Sequence, residues 1–207
     1  MNSKSRSCRL ATIIAGMVCL LNLPALAAEP VLVNVDNFVR AETAAQFDSA
    51  LKLVDGQINK FVHLRGPVPL DNQTVIRMNR DTIYSVAVVD ISKGATLTIP
   101  ETNGRYATAM IVNEDHFVNK VYSKAGTYKL TMKEFGTPYV NVSLRTLIDA
   151  SDPADIKEAN TIQDGFTIKS KSDKPYTHPE YDQASYEAVY KAVIELSKFV
   201  PDTKRMF

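Results

Sequence analysis

A β-rich stretch with helical segments on both sides constrains the fold of this chain most. Its strand patterns are separated by turn-forming residues and cover residues 82–90, 95–99, 105–112, 127–131 and 139–145. The last pattern alternates most clearly, with apolar residues at 140, 142 and 144 and with Asn141, Ser143 and Arg145 between them. Such alternation is typical of a strand with one face on a core and the other facing water or a ligand.

Helical patterns flank this stretch. Apolar residues recur every three or four positions over residues 35–58, and Asp152-Pro153 predicts a capped helix that continues through Ile162. Asp182 predicts the start of a last helix, whose apolar stripe up to Val200 we expect to lie in the core. Residues 61–69 and 169–181 indicate loops. The sequence therefore predicts an α+β domain, with an antiparallel sheet or part-open barrel flanked by N-terminal and C-terminal helices.

The first 27 residues have the three parts of a secretory signal peptide. Lys4, Arg6 and Arg9 precede a 12-residue apolar run, and Ala25-Leu26-Ala27 follows as an A-x-A site. A membrane-spanning helix would need about 20 apolar residues. We therefore predict cleavage after Ala27, a single domain over residues 28–207, and a location in the periplasm or outside the cell.

Cleavage would change the composition in ways that exclude several functions. It would leave 180 of 207 residues, and because three basic and no acidic residues leave, the formal net charge changes from +1 to −2. Both cysteines, Cys8 and Cys19, would leave too, which excludes a disulfide and a thiol nucleophile. A near-neutral chain is unlike a strongly electrostatic nucleic-acid binder. We expect an unknown small molecule or protein as partner, no nucleic acid, and no membrane association after cleavage.

One polar cluster lies just before the strand pattern that starts at Thr82. It contains Arg77, Asn79, Arg80 and Asp81. A guanidinium group fits a carboxylate or phosphate, so this cluster could bind an anionic ligand. The alternative is an Arg–Asp pair that pins a loop to the sheet. Two residues of the strands are further candidates for ligand binding: Tyr84, and Arg145, which could instead form a cross-strand ion pair.

A second polar cluster, residues 113–116, follows another strand. His116 could transfer a proton with Asp81 or Asp115 as its orienting carboxylate, while Asn113 could bind a ligand. The alternative is an ordinary turn. Metal-ligand spacing is weak here, and phosphate-binding and dinucleotide-binding glycine motifs are absent, so we expect no metal and no cofactor. Of the other histidines, we expect His63 to be packed and hydrogen-bonded and His178 to be solvated.

The sequence resembles the bacterial family known as domain of unknown function 1254. The most specific resemblance is the Asn-x-Asp-Thr-x-Tyr core within residues 77–85, and weaker matches occur at 104–106, 125–128, 144–146, 155–156 and 162–163. The resemblance implies an exported bacterial protein without a settled reaction. It also implies that many relatives continue into a second β-rich domain, domain of unknown function 1214, so a site at the domain interface would be missing here or completed by another chain.

Three hypotheses follow. The first is a periplasmic domain that binds a ligand or partner through the polar strand face at Asn141, Ser143 and Arg145. The second is an enzyme with acid–base or hydrolytic chemistry at His116, in which Arg77 or Arg80 clamps an anion. The third is one half of a two-domain design with little activity alone. We favour the first.

Overall fold

The computed structural model describes residues 29–71 and 78–199. This part of the chain contains the helices α1 (Phe38–Lys52), α2 (Met132–Phe135), α3 (Pro153–Gly165) and α4 (Gln183–Leu196), and a short 3₁₀ helix (Ser197–Phe199). Its strands are β1 (Val62–His63), β2 (Thr82–Asp90), β3 (Ala95–Ile99), β4 (Ala107–Asn113), β5 (Val118–Tyr122), β6 (Gly126–Leu130), β7 (Tyr139–Leu147) and β8 (Thr167–Ser170). The α+β prediction is confirmed.

The strands form two antiparallel sheets. The larger sheet has the order β1-β2-β7-β4-β5, and the smaller has the order β6-β3-β8. One apolar cluster joins them: Val89, Val142 and Ile111 of the larger sheet share it with Leu97 and Leu130 of the smaller. This cluster follows from the alternation of the strands, because every second side chain of a strand points to the same face.

Helices cover two borders of this core. At one end Ile162 and Phe166, at the end of α3, join the shared cluster, while Asp152 caps the start of α3 by accepting a hydrogen bond from the Ala154 amide. On the outer face of the larger sheet, Phe47 and Leu51 of α1 pack on one end of the strands. The other end of that outer face has no helix of the described chain over it.

Helix α4 departs from the sequence prediction. Asp182 does cap it, by accepting a hydrogen bond of 2.8 Å from the Ser185 amide. Its apolar stripe, however, is half-buried at best: Tyr186, Val189 and Val193 pack beside Phe38, and none of the helix's residues is fully buried. The expectation of a core helix is wrong because α4 lies on α1 at the surface. Val200 lies outside the described residues.

None of the helices in the described ranges combines the length and the apolar character that a membrane span requires. The predicted signal peptide, residues 1–27, lies outside the described residues.

Candidate ligand-binding face

The end of the larger sheet over which no described helix lies brings together side chains from three adjacent strands. The register places Tyr84 of β2 opposite Arg145 of β7, and Arg145 opposite Thr108 of β4. In the next row Ser143 lies opposite Met110. Because these positions alternate with buried ones along each strand, all five side chains project from the outer face.

Arg145 is the charged centre of this face. Its guanidinium carbon lies 5.6 Å from the centre of the Tyr84 ring, within the range of a cation–π contact. No carboxylate of the described residues forms an ion pair with it. A hollow of about 260 Å³ is lined by Arg145, Tyr84, Ser143, Met110, Val121 and Tyr106. The cross-strand ion pair that the sequence left as an alternative is therefore not formed in the described chain. Arg145 instead faces an open hollow.

The cluster before β2 forms a turn. The Asn79 side-chain oxygen accepts a hydrogen bond of 2.7 Å from the Asp81 amide, and its amide group donates to the Thr82 hydroxyl. Asn79 therefore shapes the entry into β2, and this bonding explains its place in the motif. Arg80 is half-buried. Arg77 lies outside the described residues.

Asp81 and His116 lie at opposite ends of the larger sheet. Thr82, next to Asp81, pairs with Leu147, whereas Asn113, near His116, pairs with Val140. Seven residues of extended strand separate these two positions by about 20 Å. The structure thus does not bring Asp81 to His116 as its orienting carboxylate.

The Asn113 side chain is hydrogen-bonded within its own turn and to the end of α2. Its side-chain oxygen accepts from the amides of Asp115 (3.0 Å) and Phe117 (2.9 Å), and its amide group donates to the Phe135 carbonyl at 2.9 Å. Asn113 is buried. These bonds leave it little capacity for the ligand-binding role that the sequence suggested, and they hold residues 113–117 as the turn between β4 and β5.

The carboxylates of this turn bind Arg40 of α1. Asp115 pairs directly with Arg40, and buried Glu114 accepts from Arg40 at 3.3 Å and from the Tyr139 amide at 3.2 Å. Burial raises the pKa of Glu114, and the Tyr139 bond and the Arg40 charge partly offset that rise. The Asp115 carboxylate therefore binds α1 through Arg40, and no hydrogen bond of the described chain joins it to His116.

His116 is held by a threonine from α1. Its Nδ1 lies 2.9 Å from the Thr43 hydroxyl, and that hydroxyl donates to the Val39 carbonyl at 2.8 Å. His116 also has a left-handed backbone, with φ of 64°. No carboxylate of the described residues is hydrogen-bonded to it. A catalytic role for His116 stays a prediction. Sequence reasoning missed Thr43 as the residue that orients the His116 ring, because Thr43 lies 73 positions from His116.

His63 belongs to a buried polar network, as the sequence predicted. Its Nδ1 lies 2.8 Å from the Ser85 hydroxyl, to which Gln163 donates at 3.0 Å. Burial lowers the pKa of His63. The pair resembles a serine–histidine dyad in distance alone, because Ser85 is only 2% exposed and no substrate could reach it.

His178 differs from its expected solvated state. Its Nε2 lies 2.9 Å from the Asp48 carboxylate of α1, and its ring lies between those of Tyr176 and Tyr181. The physical reason is that residues 172–182 cross α1 as a strap. This crossing brings His178 to Asp48, which lies 130 positions away in the sequence. In residues 29–71 and 78–199, no three metal-binding side chains gather closely enough to hold an ion.

Comparisons with known proteins agree with this architecture. The VPA0106 protein from Vibrio parahaemolyticus, a solved structure, is 15% identical, with a TM-score of 0.54. The match covers 79% of this chain and 48% of that protein, so this chain spans about half the length of its structural neighbour. No curated protein matches the sequence. Residues 58–170 match the family described as protein of unknown function DUF1254. These residues make up more than half of the sequence and include β1 to β8, with Tyr84, His116 and Arg145. The chain therefore belongs to that family.

Proposed function

We propose that this protein is an exported binding domain whose outer sheet face around Arg145 takes a small anion with an aromatic or apolar body. The observation that carries the proposal is the Arg145 guanidinium, which lies above the Tyr84 ring, lines an open hollow and has no ion-pair partner among the described residues. The first hypothesis from the sequence named Asn141, Ser143 and Arg145 as the binding face. Ser143 and Arg145 line the hollow, which supports the proposal, whereas Asn141 does not line it.

The chemistry of the hollow favours such a ligand. A carboxylate can accept two parallel hydrogen bonds from the Arg145 guanidinium, an arrangement stronger than a neutral hydrogen bond. Ser143 adds a hydroxyl that can donate or accept. Met110, Val121 and the Tyr84 ring offer apolar contact to the ligand body. The volume of about 260 Å³ lies near the small end of ligand pockets.

The binding proposal can be tested with benzoate and its neutral analogue benzamide. We expect benzoate to shift the NMR signals of Tyr84, Ser143 and Arg145 in the chain that starts at residue 28, and benzamide to bind more weakly. Arg145→Gln should weaken benzoate binding about tenfold, since it removes a charge-assisted hydrogen bond.

The matched control is Lys93→Gln, which removes the same charge from an exposed turn between β2 and β3. Lys93→Gln should leave benzoate affinity unchanged. Equal affinity of the wild type and Arg145→Gln, or equal binding of benzoate and benzamide, would contradict a site centred on Arg145.

Export is a separate part of the proposal and rests on the composition of residues 1–27. When the full chain is expressed in a Gram-negative host, we expect the protein in the periplasmic fraction or medium, with Ala28 as its N-terminal residue by mass spectrometry. A cytoplasmic product that keeps residues 1–27 would refute export, and it would leave the binding proposal open to its own test.

A further inference from the structure

A second cavity, of about 290 Å³, lies between α1 and α4. Its wall is mostly apolar and is formed by Phe38, Val39, Tyr190, Val193 and Ile194. His116 also lines it, which places the cavity at the end of the larger sheet opposite to Arg145. Tyr190 and Ile194 are each 47% exposed, so an apolar occupant would remove their surface from water.

The hydrogen bonds of His116 determine which of its nitrogens can meet an occupant. The Thr43 hydroxyl has one proton, and it donates that proton to the Val39 carbonyl. The tautomer consistent with both contacts has Nδ1–H of His116 donating to the Thr43 oxygen. In the neutral ring this leaves Nε2 as an acceptor, and no described residue bonds to it.

Glu42 is the second polar group of the cavity. Its carboxylate accepts hydrogen bonds from the Tyr186 hydroxyl and, at 3.1 Å, from the Gln46 amide group. No cationic side chain of the described residues pairs with it, and none lines the cavity. The polar wall therefore carries a negative charge and an unused nitrogen acceptor, without a balancing positive charge.

From this arrangement we infer that the cavity binds a small apolar amine, with its ammonium group at His116 and Glu42. An ammonium group has three donors and can satisfy both acceptors, whereas an anion would be repelled by Glu42. The rings of Phe38 and Tyr190, whose centres are 6.4 Å apart, can contact the apolar body and attract the cation. This site is separate from the anion site proposed above and has the opposite charge preference.

Three ligands of similar size test the inference: 2-phenylethylamine, 2-phenylethanol and phenylacetate. Titration calorimetry and NMR shifts of α1 and α4 would give affinity and location for the chain that starts at residue 28. We expect the amine to bind most tightly and to shift Glu42, His116 and Tyr190, the alcohol to bind about tenfold more weakly, and phenylacetate not to bind in this cavity.

Two variants test the named groups. Glu42→Gln keeps the shape and removes the charge, and His116→Asn removes Nε2 with a residue that tolerates the left-handed backbone. Each should weaken amine binding about tenfold. Glu195→Gln, an exposed carboxylate elsewhere on α4, is the matched control and should leave the affinity unchanged.

Circular dichroism of each variant establishes that it is folded before binding is compared. Amine affinity that is unchanged in both Glu42→Gln and His116→Asn would overturn the inference. So would binding of phenylacetate in this cavity as tight as that of the amine, or the absence of amine binding to the wild type.

Discussion

Asp90 shows how one residue ties distant segments of this protein together. It is fully buried at the end of β2, and its carboxylate accepts hydrogen bonds from the amides of Ser92 (2.8 Å) and Lys174 (3.1 Å). Its own amide donates to the Asn59 side chain, and its carbonyl accepts from the Ser170 hydroxyl. One side chain and its peptide groups thereby join β2 to the loop before β1 and to the strap after β8.

We predict that Asp90→Asn lowers the free energy of unfolding by about 1–2 kcal/mol at pH 7, because an amide accepts these bonds less well than a carboxylate. Burial by itself would raise the pKa of Asp90, but hydrogen bonds from Ser172, Ser92 and Lys174 outweigh it and lower that pKa below its ordinary value of 3.8. The stabilisation is therefore complete above pH 3.8 and is lost as the pH falls through the lowered value.

Urea unfolding at pH 7 and near pH 3 measures this effect, and the gap between wild type and variant should narrow at the lower pH. Asp36→Asn, which changes an exposed carboxylate, is the control and should change stability by less than about 0.5 kcal/mol. An Asp90→Asn variant as stable as the wild type at pH 7 would show that the carboxylate does not tie these segments.

At the scale of elements, α3 approaches the end of β3 at a glycine. A Cβ atom on Gly165 would lie 2.7 Å from Cβ and 2.8 Å from Cγ of Pro100. Non-bonded carbon atoms do not approach this closely, so any side chain at this position would force the helix away from the loop that follows β3. The close approach is what lets Ile162 and Phe166 reach the shared core.

We predict that Gly165→Ala lowers the free energy of unfolding by about 1–3 kcal/mol through this clash. Gly66→Ala is the matched control, because nothing lies within 4 Å of a Cβ there, and it should be neutral or slightly stabilising. Denaturant unfolding of both variants measures the difference. Equal stability of Gly165→Ala and Gly66→Ala would contradict the role given to the contact with Pro100.

The elements also show which local patterns could be read from the sequence. β2 and β3 have the predicted ends, and β4, β6 and β7 differ from their predicted ends by at most two residues. The side chains of these strands alternate between apolar and polar, and turn-forming residues lie at the strand ends. Both features are local in the sequence. β1, β5 and β8 were not predicted, and β1 lies within residues 61–69, which were predicted to be a loop. Each of the three strands is short and lies at the edge of a sheet, where its conformation depends on the neighbouring strand.

At the scale of the whole molecule, the two sheets share one core. Leu97 and Leu130 of the smaller sheet are fully buried in the same cluster as Val142 and Leu144 of the larger. Neither sheet could keep these side chains from water if the other separated from it. Their stabilities are therefore coupled.

We predict that the chain from residue 28 onward unfolds in one cooperative transition, with coincident curves from far-ultraviolet circular dichroism and tyrosine fluorescence. Amides of α4 should exchange with solvent faster than those of β7, because none of the helix's residues is fully buried. A molten, aggregating product would contradict the prediction and support the hypothesis that this chain is half of a two-domain design.

The sequence by itself determined the features that depend on neighbours along the chain. The alternation of residues 139–145 predicted that Arg145 leaves the core side of its strand, and Asp152 and Asp182 marked the starts of α3 and α4. Only the tertiary structure decided which distant residues meet: Arg145 with Tyr84, His116 with Thr43, and Asp115 with Arg40. The physical reason is that strand and cap patterns are set within a few residues, whereas these contacts depend on the strand order and on how α1 packs on the sheet.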